Sequence, residues 1–364
     1  MDSQQTISSS FSSSSSTDLP QHQESLKISK SFLWPEQDLA PAHEELNEPV
    51  IDLESYYAGG DQAEAACELV RAACASHGLF QVVNHGVDLD LIRQARDCSL
   101  AFFKLPAAEK FKAEKRHGSL CGYSSANAER FTSRLPWKET LTLLGFGERC
   151  GDRAAVDFFT SSFGPSYENV GLVFEKYCEA MKELSMRIVE MLGRSLKVDP
   201  SYYREYFVEG VLMLKCNFYP RCAEPEFTLG TGPHRDTNSH TILYQDDQVQ
   251  GLQVFVDNQW KLVRPISHAL VVAMGDTFQA LTNKMYKSCL HRAVVNNEQE
   301  RLSLAFFISP AEGKPIKAPE DLISTDKPRL YPEFTWSNLL YYIQNHYRAD
   351  DATLQNFCKW LQST

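Results

Sequence analysis

The chain lacks the features that mark several protein classes at the sequence level. No apolar run reaches the ~18 residues that a membrane-spanning helix needs, so a span is excluded and no membrane partner is expected. No CxxC pair occurs among the 10 cysteines, which argues against a zinc cage or a disulfide scaffold and predicts reduced thiols in a cytoplasmic compartment. Basic residues are also scarce: 36 Lys and Arg against 47 Asp and Glu give a net charge of -11, which repels nucleic-acid phosphates. What remains is a globular protein with an apolar core.

Composition divides the chain into four expected regions. Residues 1–30 are Ser-rich at their start and are expected to form a disordered tail. Residues 31–205 are expected to be a helical and mixed region that packs on the core, and residues 206–310 the core itself. Residues 311–364 are expected to form a C-terminal helical segment.

The period of the apolar residues changes from helical to extended along the chain. Helical spacing predicts helices from Asp61 to Ser76 and from about Val170 to Leu196. Seven short β runs follow Glu209, with hairpins predicted at Asp257 to Gln259 and at Asn296 to Glu300. Helices first and an antiparallel block after them predict an α+β fold, with a double-stranded β-helix (jelly roll) as the core that hides so many strand edges.

A candidate metal site lies in the β block. His234 and Asp236 stand at i and i+2, so in extended backbone both side chains leave the same face, and His291 in a later strand pattern can supply a third ligand. Two imidazoles and one carboxylate leave positions open on an octahedral ion, which suits a non-haem Fe(II) oxygenase. An HxD pair alone often arises by chance, and a structural zinc protein is the alternative.

A candidate anion site follows ten residues after His291, across the second predicted hairpin. Arg301 and Ser303 again stand at i and i+2, and a guanidinium beside a hydroxyl can hold a carboxylate such as the distal end of 2-oxoglutarate. The flanking residues are apolar, so we expect this strand to be buried on both faces. A buried arginine needs an anion, and a structural zinc site would leave this pair unexplained.

Longer segments resemble the plant 2-oxoglutarate-dependent dioxygenases, and among them the gibberellin 20-oxidases. The resemblance extends from about Phe32 to Trp360. It is carried by the segments Cys74 to Gly86, Leu135 to Thr140, Asn217 to Pro220, Thr228 to Asp236, Gly275 to Thr277, Tyr286 to Asn296 and His346 to Asp350. The metal and Arg-x-Ser motifs are typical of the superfamily, and LPWKET and TLGTGPH are typical of the 20-oxidase branch.

The resemblance implies a role for the motif residues already singled out. His234, Asp236 and His291 correspond to the ligands of Fe(II), and Arg301 with Ser303 to the site of the 2-oxoglutarate carboxylate. Dioxygen is then the second cosubstrate and ascorbate the expected reductant.

Two further sets of residues match the family's segments. Asn217 and Tyr219 occupy positions that also contact 2-oxoglutarate, although the residues alone are equally typical of a capped turn before a proline. Trp137, Lys138 and Glu139 match a segment on the substrate side, where a loop with a packed tryptophan would look the same.

The implied reaction is the stepwise oxidation and removal of C-20 of gibberellin precursors, coupled to oxidative decarboxylation of 2-oxoglutarate. The partner is then a small diterpenoid acid, with a monomeric protein expected and no nucleic acid. The alternatives are a gibberellin oxidase of other regiospecificity, one that forms a C-20 acid, and a non-catalytic binding homologue.

The chain departs from the family's pattern at two places near these motifs. Residues 237–240 read Thr-Asn-Ser-His where members usually have a proline after the aspartate. Residues 246–250 form a loop one residue longer than usual, with Gln250 at a position where glycine is customary. Every implied ligand is retained, so these changes bear on substrate positioning and turnover.

Overall fold

A computed structural model describes residues 28–116, 119–127, 133–144, 153–346 and 352–363. The side chains of residues 344 and 346 are outside this description. So are residues 1–27 of the expected tail and Tyr347 to Asp350 of the last motif.

The described helices alternate with strands in the first half of the chain and flank the β block in the second. The helices are α1 Leu53–Ala58, α2 Gly60–Ser76, α3 Leu89–Phe103, α4 Ala107–Lys110, α5 Ala154–Phe163, α6 Glu168–Leu196, α7 Pro200–Phe207, α8 Asp276–Leu281, α9 Trp336–His346 and α10 Thr353–Ser363. The strands are β1 Glu44–Glu45, β2 Val50–Asp52, β3 Leu79–Val83, β4 Gly122–Ser125, β5 Glu139–Leu144, β6 Val211–Tyr219, β7 Thr231–His234, β8 His240–Gln245, β9 Leu252–Val256, β10 Gln259–Leu262, β11 Leu270–Met274, β12 His291–Ala293, β13 Arg301–Ser309, β14 Pro315–Ile316 and β15 Phe334–Thr335. None of these helices is long and apolar enough to cross a bilayer.

Two sheets form the core. The larger has the order β2-β3-β11-β8-β13-β6-β5-β4, and the smaller has the order β1-β10-β9-β12-β7. Inward side chains of both sheets line one cavity, so the sheets face each other. The expected α+β fold with a jelly-roll core is confirmed. Strands β2 to β5 belong to the large sheet, so residues 31–205 and 206–310 share one sheet.

The two longest strands show how the sequence divides the large sheet into two faces. On β13, Leu302, Leu304, Phe306 and Ile308 are buried among the helices, while the alternate residues line the cavity. Strand β6 alternates in the same way and pairs with β13 along its length. This two-residue period carries the polar site residues to the inner face and confirms that β13 is buried on both faces.

The long helices cover the outer face of the large sheet. Helices α2 and α6 match the stretches predicted from helical spacing, and α6 buries Phe174, Met181 and Ile188 completely. Their apolar stripes and the outer residues of the sheet form one cluster. The helices therefore supply most of the core, and the inner face of the sheet is kept for the cavity.

One of the two predicted hairpins is confirmed and the other is wrong. Asp257 and Asn258 have φ of 53° and 59° and join β9 to β10 in a two-residue turn. Strand β12, in contrast, pairs within the small sheet and β13 within the large one, so residues 296–300 cross between the sheets. The Asn296 side chain accepts from the N–H groups of Glu298 and Gln299 at 2.9 and 2.7 Å. Such an Asx turn has the composition of a hairpin loop without joining paired strands.

The segment before β1, from Trp34 to Ala40, packs against two strands of the small sheet. The indole of Trp34 lies against Gly232 on β7, where a Cβ would come within 2.1 Å of the ring. The guanidinium of Arg292 on β12 donates to the carbonyls of Asp38 and Ala40 at 2.6 and 2.5 Å. Both braced strands carry a candidate metal ligand.

Candidate active site

The three predicted metal ligands converge at the edge of the small sheet. His234 ends β7 and His291 begins β12, and the two residues are register partners, so strands far apart in sequence are neighbours in space. The His234 Nε2 lies 3.6 Å from the Asp236 Oδ1, and the His291 Nε2 lies 4.0 Å from the Asp236 Oδ2. The three ligand atoms all lie within 4.8 Å of one another. This arrangement fits one shared metal ion.

Both histidines are oriented by the backbone. The Nδ1 of His234 bonds to the Gly232 carbonyl at 2.9 Å, and that of His291 bonds to the Cys289 carbonyl at 3.0 Å. A carbonyl only accepts, so each Nδ1 carries the proton and each Nε2 presents its lone pair. Burial, with the neighbouring His291, lowers the pKa of His234 below its usual value, which favours the neutral imidazole that can bind a metal.

The carboxylate ligand is held by a residue that the sequence analysis missed. The hydroxyl of Thr241 on β8 donates to the Asp236 Oδ2 at 2.6 Å. Burial raises the pKa of Asp236, but His291, His234, Thr241 and Lys215 together bring it below its usual value. Thr241, on the large sheet, therefore orients the carboxylate of Asp236, which follows a strand of the small sheet. The only signal in the sequence was the alternation of β8, which places the Thr241 side chain on the inner face.

We expect Thr241→Val to weaken Fe(II) binding by about 10- to 100-fold, the usual effect of losing an outer-shell partner of a metal ligand. The substitution keeps the shape of the side chain and removes the hydroxyl that fixes Asp236. Anaerobic titration of the purified chain with Fe(II) measures the change. Thr241→Ser is the matched control and should bind nearly as the unmodified chain does. Equal affinity in the Val and Ser variants would contradict the role.

A cavity of about 370 Å³ lies between the sheets. Strands β5, β6, β8 and β13 line one wall, and β7 and β12 line the wall that bears the histidines. Leu340 and Ile343 of α9 line one end of it. The candidate metal site thus opens into a space large enough for small molecules.

Arg301 is buried within this cavity and lacks a full set of acceptors. Its side chain is 3% exposed, and within the described residues its Nε has no hydrogen-bond partner. Its Nη2 donates to the Gln245 Oε1 at 3.4 Å. Burying a guanidinium with unsatisfied donors is costly unless an anion completes it. The site therefore fits a carboxylate, as the sequence indicated.

The other implied cosubstrate residues lie beside Arg301. In the pairing of β13 with β6, Arg301 is opposite Tyr219 and Ser303 is opposite Asn217, and all four side chains line the cavity. Although burial acts in the opposite direction, Lys138 and Arg301 lower the pKa of Tyr219 below its ordinary value. The four residues form one polar wall of the cavity.

Gly251 shapes the Arg301 site and was not singled out from sequence. A Cβ at Gly251 would lie 2.6 Å from Cδ and 2.7 Å from Nε of Arg301. The long loop at residues 246–250 ends at this glycine and begins with an N–H bond from Asp246 to the Leu302 carbonyl at 3.3 Å. The altered loop therefore lies next to the Arg301 strand at both of its ends.

The side chains of the three candidate substrate residues lie in different surroundings, and only one of them lines the cavity. Lys138 lines the cavity and donates to the Asn217 Oδ1 at 3.3 Å. Glu139 is absent from the cavity lining; its carboxylate pairs with Lys110 at 2.5 Å in the buried core. Trp137 packs against Phe32 with ring centroids 5.1 Å apart and also lies outside the lining. Of the three, the structure brings only Lys138 to the cavity.

Two family profiles match separate parts of the chain. Residues 210–310 match the 2OG-Fe(II) oxygenase superfamily. Residues 49–149 match the N-terminal region described as non-haem dioxygenase in morphine synthesis. The first match contains every candidate metal and cosubstrate residue described above.

Curated relatives and solved structures are similar over most of the chain. Gibberellin 20 oxidase 2 of Oryza sativa subsp. indica is 50% identical over 337 residues, which cover 92% of this chain and 85% of that protein. Gibberellin 20 oxidase 2 of Arabidopsis thaliana is 47% identical, covering 92% and 88%. A crystal structure of JOX2 in complex with 2OG, Fe, and JA has a TM-score of 0.81 at 33% identity and covers 92% of this chain and 95% of its own. The dioxygenase for auxin oxidation from rice has a TM-score of 0.71 at 25% identity, covering 84% and 98%.

Proposed function

The chain belongs to the 2OG-Fe(II) oxygenase superfamily and is related within it to the gibberellin 20 oxidases, and from this premise we propose that it oxidises and removes C-20 of gibberellin precursors. The observation that carries the proposal is the placement of two complementary sites in one cavity. Three candidate ligand atoms lie at the edge of the small sheet and just beyond it, and a buried guanidinium, whose Nε has no hydrogen-bond partner among the described residues, lies on the large sheet.

Different residues of the chain would bind the metal and the cosubstrate. When bound, Fe(II) and 2-oxoglutarate supply the oxidising chemistry, with dioxygen as oxidant and succinate and carbon dioxide as products. His234, Asp236 and His291 would hold the metal, while Arg301 and Ser303 would hold the distal carboxylate of the cosubstrate. The two sheets would exclude water from the cavity and position the substrate beside the candidate metal site.

Incubation of the purified chain with Fe(II), 2-oxoglutarate, ascorbate and labelled precursors tests the proposal. We expect succinate to form when a C20 gibberellin precursor is added, and oxidised products to appear by mass spectrometry. Binding without succinate would indicate a non-catalytic homologue. Reaction at another carbon would indicate a different regiospecificity.

The proposal includes a setting for the enzyme. We propose a monomer in the cytosol that uses ascorbate as reductant and has no nucleic-acid partner. The support is the reduced state of the described cysteines, which are all free thiols, and the net charge of -11.

We expect the altered loops to slow the later oxidation steps. Residues 246–250 adjoin the Arg301 site and residues 237–240 follow Asp236 directly, so both can shift the bound molecules relative to the metal. A misplacement of about 1 Å can cost roughly 10²-fold in rate. Alcohol, aldehyde or C-20 acid products should therefore accumulate in larger proportion than in a typical family member. Product ratios by mass spectrometry measure this.

The matched variant deletes Asp247 and carries Gln250→Gly, which returns the loop to the usual length and composition. It should move the products toward C19 gibberellins. Clean, rapid conversion to C19 products by the unmodified chain would refute the idea that the loops perturb positioning. An absence of reaction with any gibberellin would refute the substrate class itself.

A further inference from the structure

The segment after Asp236, where the chain departs from the family's pattern, is held in place by its backbone. The carbonyls of residues 236–239 all accept hydrogen bonds from residues 275–277, at 2.7 to 3.2 Å. Gly275 permits this close approach, since a Cβ there would lie 2.1 Å from the Asn238 carbonyl oxygen. The backbone of Asn238 is therefore fixed without any contribution from its side chain.

The Asn238 side chain is buried, and a neighbouring carbonyl determines the orientation of its amide. Its exposed fraction is 4%. The Nδ2 donates to the His240 carbonyl at 2.6 Å and to the Thr241 Oγ1 at 3.2 Å. Turning the amide over would place Oδ1 against the His240 carbonyl, and both of these oxygens are acceptors. The NH2 group of Asn238 therefore faces the Thr241 hydroxyl.

The bond from Asn238 determines the direction of the Thr241 proton. An amide NH2 group only donates, and an ionised carboxylate only accepts. The Thr241 hydroxyl has one proton and accepts from Asn238, so it donates to the Asp236 Oδ2, at 2.6 Å. The other carboxylate oxygen, Oδ1, lies 3.6 Å from the His234 Nε2. The donor chain thus leads from Asn238 through Thr241 to a candidate metal ligand.

We propose that Asn238 is a positioning residue for the candidate metal site and acts on Asp236 through Thr241. Its Oδ1 has no hydrogen-bond partner within the described part of the chain, and an unmatched buried acceptor is costly. A leucine of similar size would avoid this cost, so the amide is explained by the groups to which its NH2 donates. The rival explanation is that Asn238 only caps the start of β8 through the His240 carbonyl. This inference rests on the metal site that the proposed function also requires.

Asn238→Leu should weaken Fe(II) binding by about 2- to 10-fold, the usual effect of losing one neutral hydrogen bond. The loss should be smaller than that in Thr241→Val, because the Thr241 hydroxyl remains. Anaerobic titration with Fe(II) measures the affinity, and thermal unfolding of the metal-free chain reports on the fold. Asn238→Ala provides the same test if the leucine variant does not fold. Asn169→Leu, at an exposed position of α6, is the matched control and should bind Fe(II) as the unmodified chain does.

The Thr241→Val background separates a positioning role from a capping role. If Asn238 acts through the Thr241 hydroxyl, Asn238→Leu should cause no further loss of Fe(II) affinity once that hydroxyl is absent. A capping role predicts the same loss in both backgrounds. That result, or an unchanged Fe(II) affinity in Asn238→Leu alone, would overturn the proposal.

Failure of this inference and failure of the proposed function give different results. If the unmodified chain converts precursors while Asn238→Leu binds Fe(II) normally, this inference falls and the proposed function stands. If the unmodified chain binds no Fe(II), both fall.

Discussion

Alanine at His234, Asp236 or His291 should abolish turnover and weaken Fe(II) binding while leaving the fold intact. Each residue supplies one of three candidate ligand atoms within 4.8 Å of one another, so each loss would break the same coordination sphere. The effect should exceed the roughly 10- to 100-fold that outer-shell changes cost. Succinate production, anaerobic Fe(II) titration and circular dichroism measure activity, metal binding and fold separately.

His43→Ala provides the matched control, because His43 is exposed and far along the chain from the site. It should leave iron binding and turnover unchanged. The double variant of His234 and His291 should lose little more activity than either single variant, as expected of residues that act as a unit. Independent and mild effects from the three alanine changes would contradict the assignment.

Arg301→Lys should raise the 2-oxoglutarate requirement by about 10- to 100-fold and change the requirement for the precursor far less. A lysine keeps the charge but loses the planar fork that can bind a carboxylate through two bonds, and such charge-assisted bonds are worth about 1.5–3 kcal/mol. Initial rates at varied 2-oxoglutarate and at varied precursor separate the two requirements.

Gly251→Ala tests the same site without changing its charge. The added methyl group would lie 2.6 Å from the Arg301 Cδ, so the guanidinium must move and the 2-oxoglutarate requirement should rise again. Arg93→Lys, in an exposed ion pair on α3, is the control that should have no effect. A 2-oxoglutarate requirement unchanged by both Arg301→Lys and Gly251→Ala would place the anion site elsewhere.

Helices and strands whose apolar residues recur at a regular spacing were predictable from sequence, whereas the strands with which they pair were not. Helix α6 and strands β6 and β13 follow directly from spacings of 3.6 and 2 residues, because the buried face is encoded within each element. The crossing at residues 296–300 depends on which sheet accepts β12 and which accepts β13. The sequence of these five residues does not determine which sheet each strand joins. The Asx turn at Asn296 has the same residue types as a hairpin loop, so the local sequence cannot distinguish the two.

The same distinction separates the site residues that were found from those that were missed. His234 with Asp236, and Arg301 with Ser303, share a face at i and i+2, so each pair was visible locally. Thr241 acts on Asp236 from the opposite sheet, and its role depends on how the sheets stack. Gly251 lies against the side chain of Arg301, 50 positions later in the chain, and this contact can be recognised only from the three-dimensional structure.

The brace before β1 bears on how the protein reaches its native state. The Arg292 side chain donates to the Asp38 carbonyl across 254 positions of the chain, and β3 pairs with β11 across 188 to 194 positions. Contacts of such high sequence separation form slowly, because loop-closure entropy is lost before they stabilise anything. We therefore expect the contacts between the segment before β1 and the strands that bear His234 and His291 to form late in folding. We expect the candidate metal site to be completed late in folding rather than in its nucleus, so that the chain reaches its topology before a metal can bind.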